Sequence, residues 1–139
     1  MITFNYESDF VLSNESIYSS WISAIIESEN FLEGEINYIF CNDDYLHAIN
    51  LQYLNHDTLT DIISFDYTEG TLISGDIFVS IERVLDNAQE FNVSFEDELK
   101  RVLAHGVLHY CGYKDKSEED AFLMRQKEDE KINLFHVEH

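Results

Sequence analysis

The sequence predicts a mixed α/β fold, a small mixed sheet of about four strands packed with about five helices. Three observations carry that expectation. Short segments alternate apolar and polar residues, longer ones repeat apolar residues at helical spacing, and cap-type residues stand where the period changes. ITFNYE, starting at Ile2, alternates and reads as the first strand. From Ser16 to Asn30, Ile17, Trp21, Ala24, Ile25 and Ser28 recur at helical spacing and define an amphipathic helix. In EINYIFC, Ile36, Tyr38 and Phe40 share one face of a second strand. Asn42 then caps a helix that carries Tyr45, Ile49 and Tyr53 inward. DIISFDY (61–67) and LISGDIFVS (72–80) are β-rich and separated by a Gly-containing turn, which makes them a hairpin. Gly75 inside the second run marks a bulge or a close backbone approach. Ser80 caps a helix with Val84, Ala88 and Phe91. Ser94 and Asp97 open a longer helix ending at Gly112, and Ser117 and Asp120 open a last one running to about Asn133. The order is β-α-β-α-β-β-α-α-α.

A chain of 139 residues, 45% hydrophobic and 14% aromatic, supports one core, so residues 1–139 are expected to form a single domain. No apolar run approaches the roughly 18 residues of a membrane span. The start, MITFNYESDF, lacks the basic and apolar regions of a secretion signal, so a cytoplasmic location without membrane contact is expected. Cys41 and Cys111 are then free, buried thiols of a reducing compartment. The formal net charge of −20 excludes diffuse attraction to nucleic acid or anionic lipid. Its distribution is uneven. Residues 1–82 hold 15 acids and no Lys or Arg, and all eight bases fall between Arg83 and Lys131.

His105 and His109 are four apart in the best-supported helix, which puts both imidazoles on one face, one turn apart. Gly112 lets the chain turn back, and Asp115 can return to the same ion from outside the helix. The pattern H-x-x-x-H-x-x-G-x-x-D has the spacing of a zincin-like metal helix, with Asp where a third His usually stands. Two imidazoles and a carboxylate are a catalytic zinc set with a fourth position left for water. One Zn2+ per chain is therefore expected on His105, His109 and Asp115. Cys111, two residues after His109, faces elsewhere. A metalloprotease needs Glu directly after the first His as general base. Gly106 stands there, and ordinary proteolysis is not expected.

The same run carries a family resemblance. His105, Gly106, Val107, Leu108, His109, Tyr110, Cys111, Gly112 and Tyr113 resemble the H-G-x-L-H-x-x-G-Y motif of YbeY-type endoribonucleases, a bacterial family. Upstream, Thr60-Asp61-Ile62-Ile63-Ser64-Phe65 resembles its T-D-V-L-S-F strand, and Gly75-Asp76-Ile77 its G-D-I strand. The three blocks keep family order and lie within residues 50–130. The resemblance implies a zinc-dependent, single-strand-specific endoribonuclease with a four-stranded mixed α/β fold. It further implies a role in maturing the 3′ end of 16S ribosomal RNA and in ribosome quality control. Single-stranded or ribosomal RNA is the implied partner, with a ribosomal protein or assembly factor as a further one. Two departures stand out. Lys114-Asp115 replaces the family's Asp-His, so the third ligand is a carboxylate. The family's Arg, four residues after an Asn, falls on Leu54 when counted from Asn50, and its role does not carry over. His56 is either a loop histidine or a positive group in its place.

Asp61 and Asp76 are open between two readings, as partners of the zinc histidines or the missing base, and as turn or strand-end residues. Ser64 lacks a surrounding G-x-S-x-G and reads as a strand serine. His136 and His139 read as tail histidines, and Glu118-Glu119-Asp120 and Glu128-Asp129-Glu130 as a solvated helix face. The leading expectation is zinc-dependent hydrolysis of RNA, with the general base unnamed. The alternative is a zinc-stabilised ribosome-assembly binding factor, and a metallopeptidase ranks last. RNA affinity of so acidic a chain should depend on the cations near the site, Lys100, Arg101, Lys114 and Lys116.

Overall fold

In the computed structural model, which describes residues 1–54 and 61–138, the elements follow in the expected order. They are β1 (Ile2–Tyr6), α1 (Glu15–Ser28), β2 (Leu32–Cys41), α2 (Asp43–Leu54), β3 (Ile62–Asp66), β4 (Leu72–Ser80), α3 (Ile81–Phe91), α4 (Phe95–Tyr110) and α5 (Glu118–Glu138). His56 and His139 lie outside the described residues. The sheet is mixed, in the order β1-β2-β4-β3, with β1, β2 and β4 parallel and β3 antiparallel at an edge. Alternation along β2 and β4 puts Ile36, Tyr38, Phe40, Ile73, Ile77 and Val79 in the main core with α1 and α4. On the other face, α2 buries Leu46 against Cys41 and Ile63.

The cap residues act as expected. Side-chain oxygens of Asn42, Ser80, Ser94 and Ser117 accept the amides of Tyr45 (2.9 Å), Arg83 (3.2 Å), Asp97 (3.1 Å) and Asp120 (3.1 Å). Gly75 is a close approach. A Cβ there would stand 2.4 Å from the Phe65 carbonyl and 2.4 Å from Tyr110 Oη. That phenol donates to the Phe65 and Asp76 carbonyls at 3.0 and 3.2 Å, tying α4 to the hairpin.

Three helix faces differ from expectation. In α1 the buried rows are Tyr18, Ile22, Ile26 and Trp21, Ile25, while Ser28 is exposed, because both the sheet and α5 cover this helix. In α2 Leu46 and Asn50 are buried and Ile49 packs beside Leu46 as expected, but Tyr45 is 39% exposed and lies along the Phe78 ring, and the Tyr53 side chain lies outside the described residues. The last helix passes Asn133, since the Trp21 indole donates to the Lys131 carbonyl at 2.7 Å and Phe135 packs on Tyr18 and Trp21. No helix among the described residues is long and apolar enough to cross a membrane.

A partly buried ion cluster joins the end of α1 to α5. Lys131 Nζ donates to Glu29 Oε2 at 2.8 Å and to Ser28 Oγ at 2.9 Å, and Tyr113 Oη donates to Glu29 Oε1 at 2.7 Å. Burial alone would raise the Glu29 pKa, but Lys131 and Tyr113 outweigh it and hold the carboxyl below its usual value. A carboxylate depressed in the fold contributes stability above its unfolded pKa and loses it as pH falls through the folded one. Glu29→Gln should therefore lower the melting temperature at pH 7, with the deficit fading below about pH 4.5, the value for an unperturbed Glu. Thermal melts of both proteins from pH 7 to 3 test this; a pH-independent deficit would show that packing, not charge, is at work.

Candidate metal centre

α4 carries both histidines, and its C-terminus sets up the third group. Cys111 closes the helix, and Gly112 takes φ +100°, a conformation that favours glycine. The Gly112 amide reaches the His109 carbonyl at 3.0 Å and the Tyr113 amide the Leu108 carbonyl at 3.1 Å. This paired return is a Schellman motif, and it sends the following residues back along the helix face. Asp115 arrives there with one carboxylate oxygen, Oδ2, 3.2 Å from His105 Nε2 and 3.4 Å from His109 Nε2. The imidazoles lie edge to face with centroids 4.5 Å apart. One ligand atom from each of the three residues falls within 4.8 Å of the others. The donor chemistry fits a zinc ion: two neutral nitrogens and one carboxylate, gathered at the rim of a cleft of about 490 Å³.

His105 Nδ1 meets Glu128 Oε2 of α5 at 2.6 Å. Its second carboxylate oxygen accepts from Arg101 at 2.9 Å, and Arg101 also reaches Asp129 at 2.6 Å. Glu128 is 5% exposed, so its reading as part of a solvated face is corrected; Asp129 does face water. The missed signal lies in α5 itself. Met124, Glu128, Lys131 and Phe135 recur at i, i+4, i+7 and i+11, placing an acid on the same stripe as core side chains. Burial works against protonation of His105. The Glu128 contact, with the charges of Asp115 and Asp61, outweighs it and holds the His105 pKa above its ordinary value.

The other flagged residues separate cleanly. Asp61 lines the cleft, where burial raises its carboxyl pKa against the opposing effect of His105, and Asn87 donates to it at 3.4 Å. Asp76 lies away from the cleft, bonded to Asn37 of the neighbouring strand at 2.9 Å. Ser64 is a strand residue at the cleft wall. A side chain at Gly106 would meet Ile77 at 3.0 Å and Ile62 at 3.3 Å, so that position packs on the sheet. Both cysteines are free thiols, Cys41 fully buried and Cys111 half-buried, and burial pushes each up to about 12. Lys100 is buried, with its ammonium 4.1 Å from the Phe135 ring centroid, and Arg101 is held by Glu128 and Asp129.

The family model described as Endoribonuclease YbeY matches residues 3–136. This chain belongs to that family. Proteins named Endoribonuclease YbeY from Flavobacterium johnsoniae and Flavobacterium psychrophilum are 74% and 67% identical to it. The first alignment covers 99% of both chains, and the second 99% of this chain and 98% of the relative. The solution structure of TM1509 from Thermotoga maritima superposes with a TM-score of 0.67 at 27% identity, over 99% of this chain and 93% of that one. The YbeY family thus accounts for the fold and for the three motif blocks, which pack together: Gly75 and Phe65 receive Tyr110 of α4, and Asp61 lines the cleft with His105.

Proposed function

We propose that this member of the endoribonuclease family cuts single-stranded RNA at a zinc ion held by His105, His109 and Asp115. The observation that carries the reading is the convergence of both Nε2 atoms on one Asp115 oxygen, at 3.2 and 3.4 Å, beside an open cleft. When bound, zinc supplies Lewis acidity towards a phosphodiester and a water that ionises near neutral pH. The chain's own residues orient that chemistry. Glu128 holds the His105 ring by Nδ1, which leaves Nε2 to face the site. Asp61, buried at the cleft wall with a raised pKa, is the carboxyl best placed to exchange a proton with a bound substrate. Three protein donors among the described residues is the count of a catalytic rather than a closed structural zinc site, which favours the enzyme over an assembly factor. Gly106, packed on the sheet, disfavours a peptidase. In the cell, the proposed setting is the cytoplasm. There, residues 1–139 act as one hydrolase domain on the 3′ end of 16S ribosomal RNA and in ribosome quality control, beside a ribosomal protein or assembly factor.

Untagged protein should contain about one zinc per chain by elemental analysis, in keeping with one three-donor group. It should cut single-stranded RNA and leave casein-derived peptides intact, with chelation stopping the cutting and zinc restoring it. Chelator-sensitive peptide hydrolysis with intact RNA would reverse the reading.

A further inference from the structure

The net charge of −20 hides a local arrangement of free cations. Five of the eight Lys and Arg side chains are engaged within the fold. Arg83 pairs with Asp43 and Asp86, Arg101 with Glu128 and Asp129, and Lys127 and Lys131 with Glu29 and Glu130. Lys100 is buried against Phe135. The other three, Lys114, Lys116 and Arg125, make no ion pair with a described residue, and all three are exposed. Lys114 and Lys116 flank Asp115. Arg125 stands on the cleft wall, near enough to Glu98 to favour its charged form without bonding to it. Of these three, Arg125 lines the cleft itself, while Lys114 and Lys116 are exposed on either side of Asp115 in the chain.

The cleft continues past Arg125 into a second hollow of about 320 Å³, whose lining includes Phe91, Val93, Arg101, Arg125 and Ile132. Phe91, Arg101, Arg125 and Glu98 line both, so the two form one trough. Phe91, the last residue of α3, is 51% exposed, at the junction of the two hollows. Acids also line the trough: Glu128 and Asp129 are paired with Arg101, while Asp61, Asp97 and Glu98 stand beside them, and of its two guanidinium groups only that of Arg125 is unpaired among the described residues. An exposed aromatic face beside an unpaired guanidinium is the pairing that binds single-stranded nucleic acid, one for a base and one for a phosphate.

We infer that single-stranded RNA lies along this trough, with one base stacked on Phe91, its neighbouring phosphate on Arg125, and the strand beyond the metal centre held by Lys114 and Lys116. The inference rests on the endoribonuclease reading and adds the residues that grip the substrate. Net repulsion makes these few contacts decisive, since no diffuse attraction stands behind them.

The test is fluorescence anisotropy of a short dye-labelled 2′-O-methyl oligouridine on zinc-loaded protein over a salt series, with cleavage kinetics on the unmodified RNA. Phe91→Ala should weaken binding about fivefold or more and raise KM while leaving kcat nearly unchanged. Phe91→Trp should restore binding. Arg125→Gln should also weaken it, and should reduce the slope of log affinity against log salt by about 0.7. Phe122→Ala is the control, an aromatic of α5 that is 67% exposed outside the trough, and should match the parent. If the parent binds and cuts RNA while Phe91→Ala and Arg125→Gln equal it in KM and salt slope, the trough assignment is wrong and the endoribonuclease reading stands. If the parent neither binds nor cuts any RNA, both fall.

Discussion

Asp115→Ala is expected to lose zinc and RNA cleavage together while the fold survives. Asp115 sits after the helix with its side chain 39% exposed, so its removal opens no cavity, and the stability change should stay within about 0.5 kcal/mol. The metal is another matter. Loss of a residue that only supports a zinc ligand typically costs about 10–100-fold in affinity, and loss of one of three ligands should exceed that. Asp115→His separates charge from ligation. A histidine there should keep the ion but supply no negative charge, so the water on the metal becomes more acidic and the pH optimum of cleavage moves down. Chelator competition, elemental analysis and a pH–rate profile on the three proteins decide the matter. An Asp115→Ala protein with unchanged zinc affinity would remove the ligand assignment, whatever its activity.

The meeting of His105, His109 and Asp115 was legible because its geometry is local. His105, His109, Gly112 and Asp115 span eleven residues, and helix pitch plus a Schellman turn determine where they meet without help from the rest of the chain. The strands were legible for a similar reason: alternation along Ile36, Tyr38 and Phe40 carries its own face assignment. Serine and asparagine caps marked four helix starts, since a cap is decided by the next three residues.

What escaped depends on partners distant in sequence. Which face of α2 turns inward is decided by the Cys41–Leu46–Ile63 cluster, and these residues come from three different elements. Phe91 fits the helical period of α3, but α3 and α4 leave its ring at the trough instead of covering it. Asp61 and Asp76 belong to equally recognisable blocks, and only strand direction tells them apart. One lies at the start of β3 facing the cleft, while the other is paired with Asn37 on β2. Counting cations also misleads: Lys100 and Arg101 are near His105 in sequence, yet both are engaged within the fold, whereas Arg125, twenty residues on, is the one left free at the cleft.

Glu128 should prove to be the positioning residue of the metal centre, although it touches neither ion nor substrate. Its carboxylate joins His105 Nδ1 at 2.6 Å to Arg101 at 2.9 Å, in a site where the Glu128 side chain is buried and that of Arg101 is 19% exposed. Glu128→Ala leaves a largely buried guanidinium with only Asp129, and leaves the imidazole without its anchor. Breaking a buried pair in this way costs about 3–5 kcal/mol, and the partial exposure of Arg101 places the expected loss at the low end. Destabilisation alone would not distinguish a structural role, so Glu128→Gln is the informative variant. The amide keeps the shape and can still accept from His105 Nδ1, but it withdraws the negative charge that makes the imidazole a stronger donor to metal. Zinc affinity should fall about tenfold in Glu128→Gln and more in Glu128→Ala, measured by chelator competition at one temperature where both are folded. Asp129→Asn removes the other acid on Arg101 without touching His105, and should leave zinc affinity unchanged. Equal zinc affinity in Glu128→Gln and the parent would show that the carboxylate merely packs α5 against α4. A tenfold loss confined to the Glu128 variants would place it in the metal centre, because packing between the helices is nearly the same in the Gln variant.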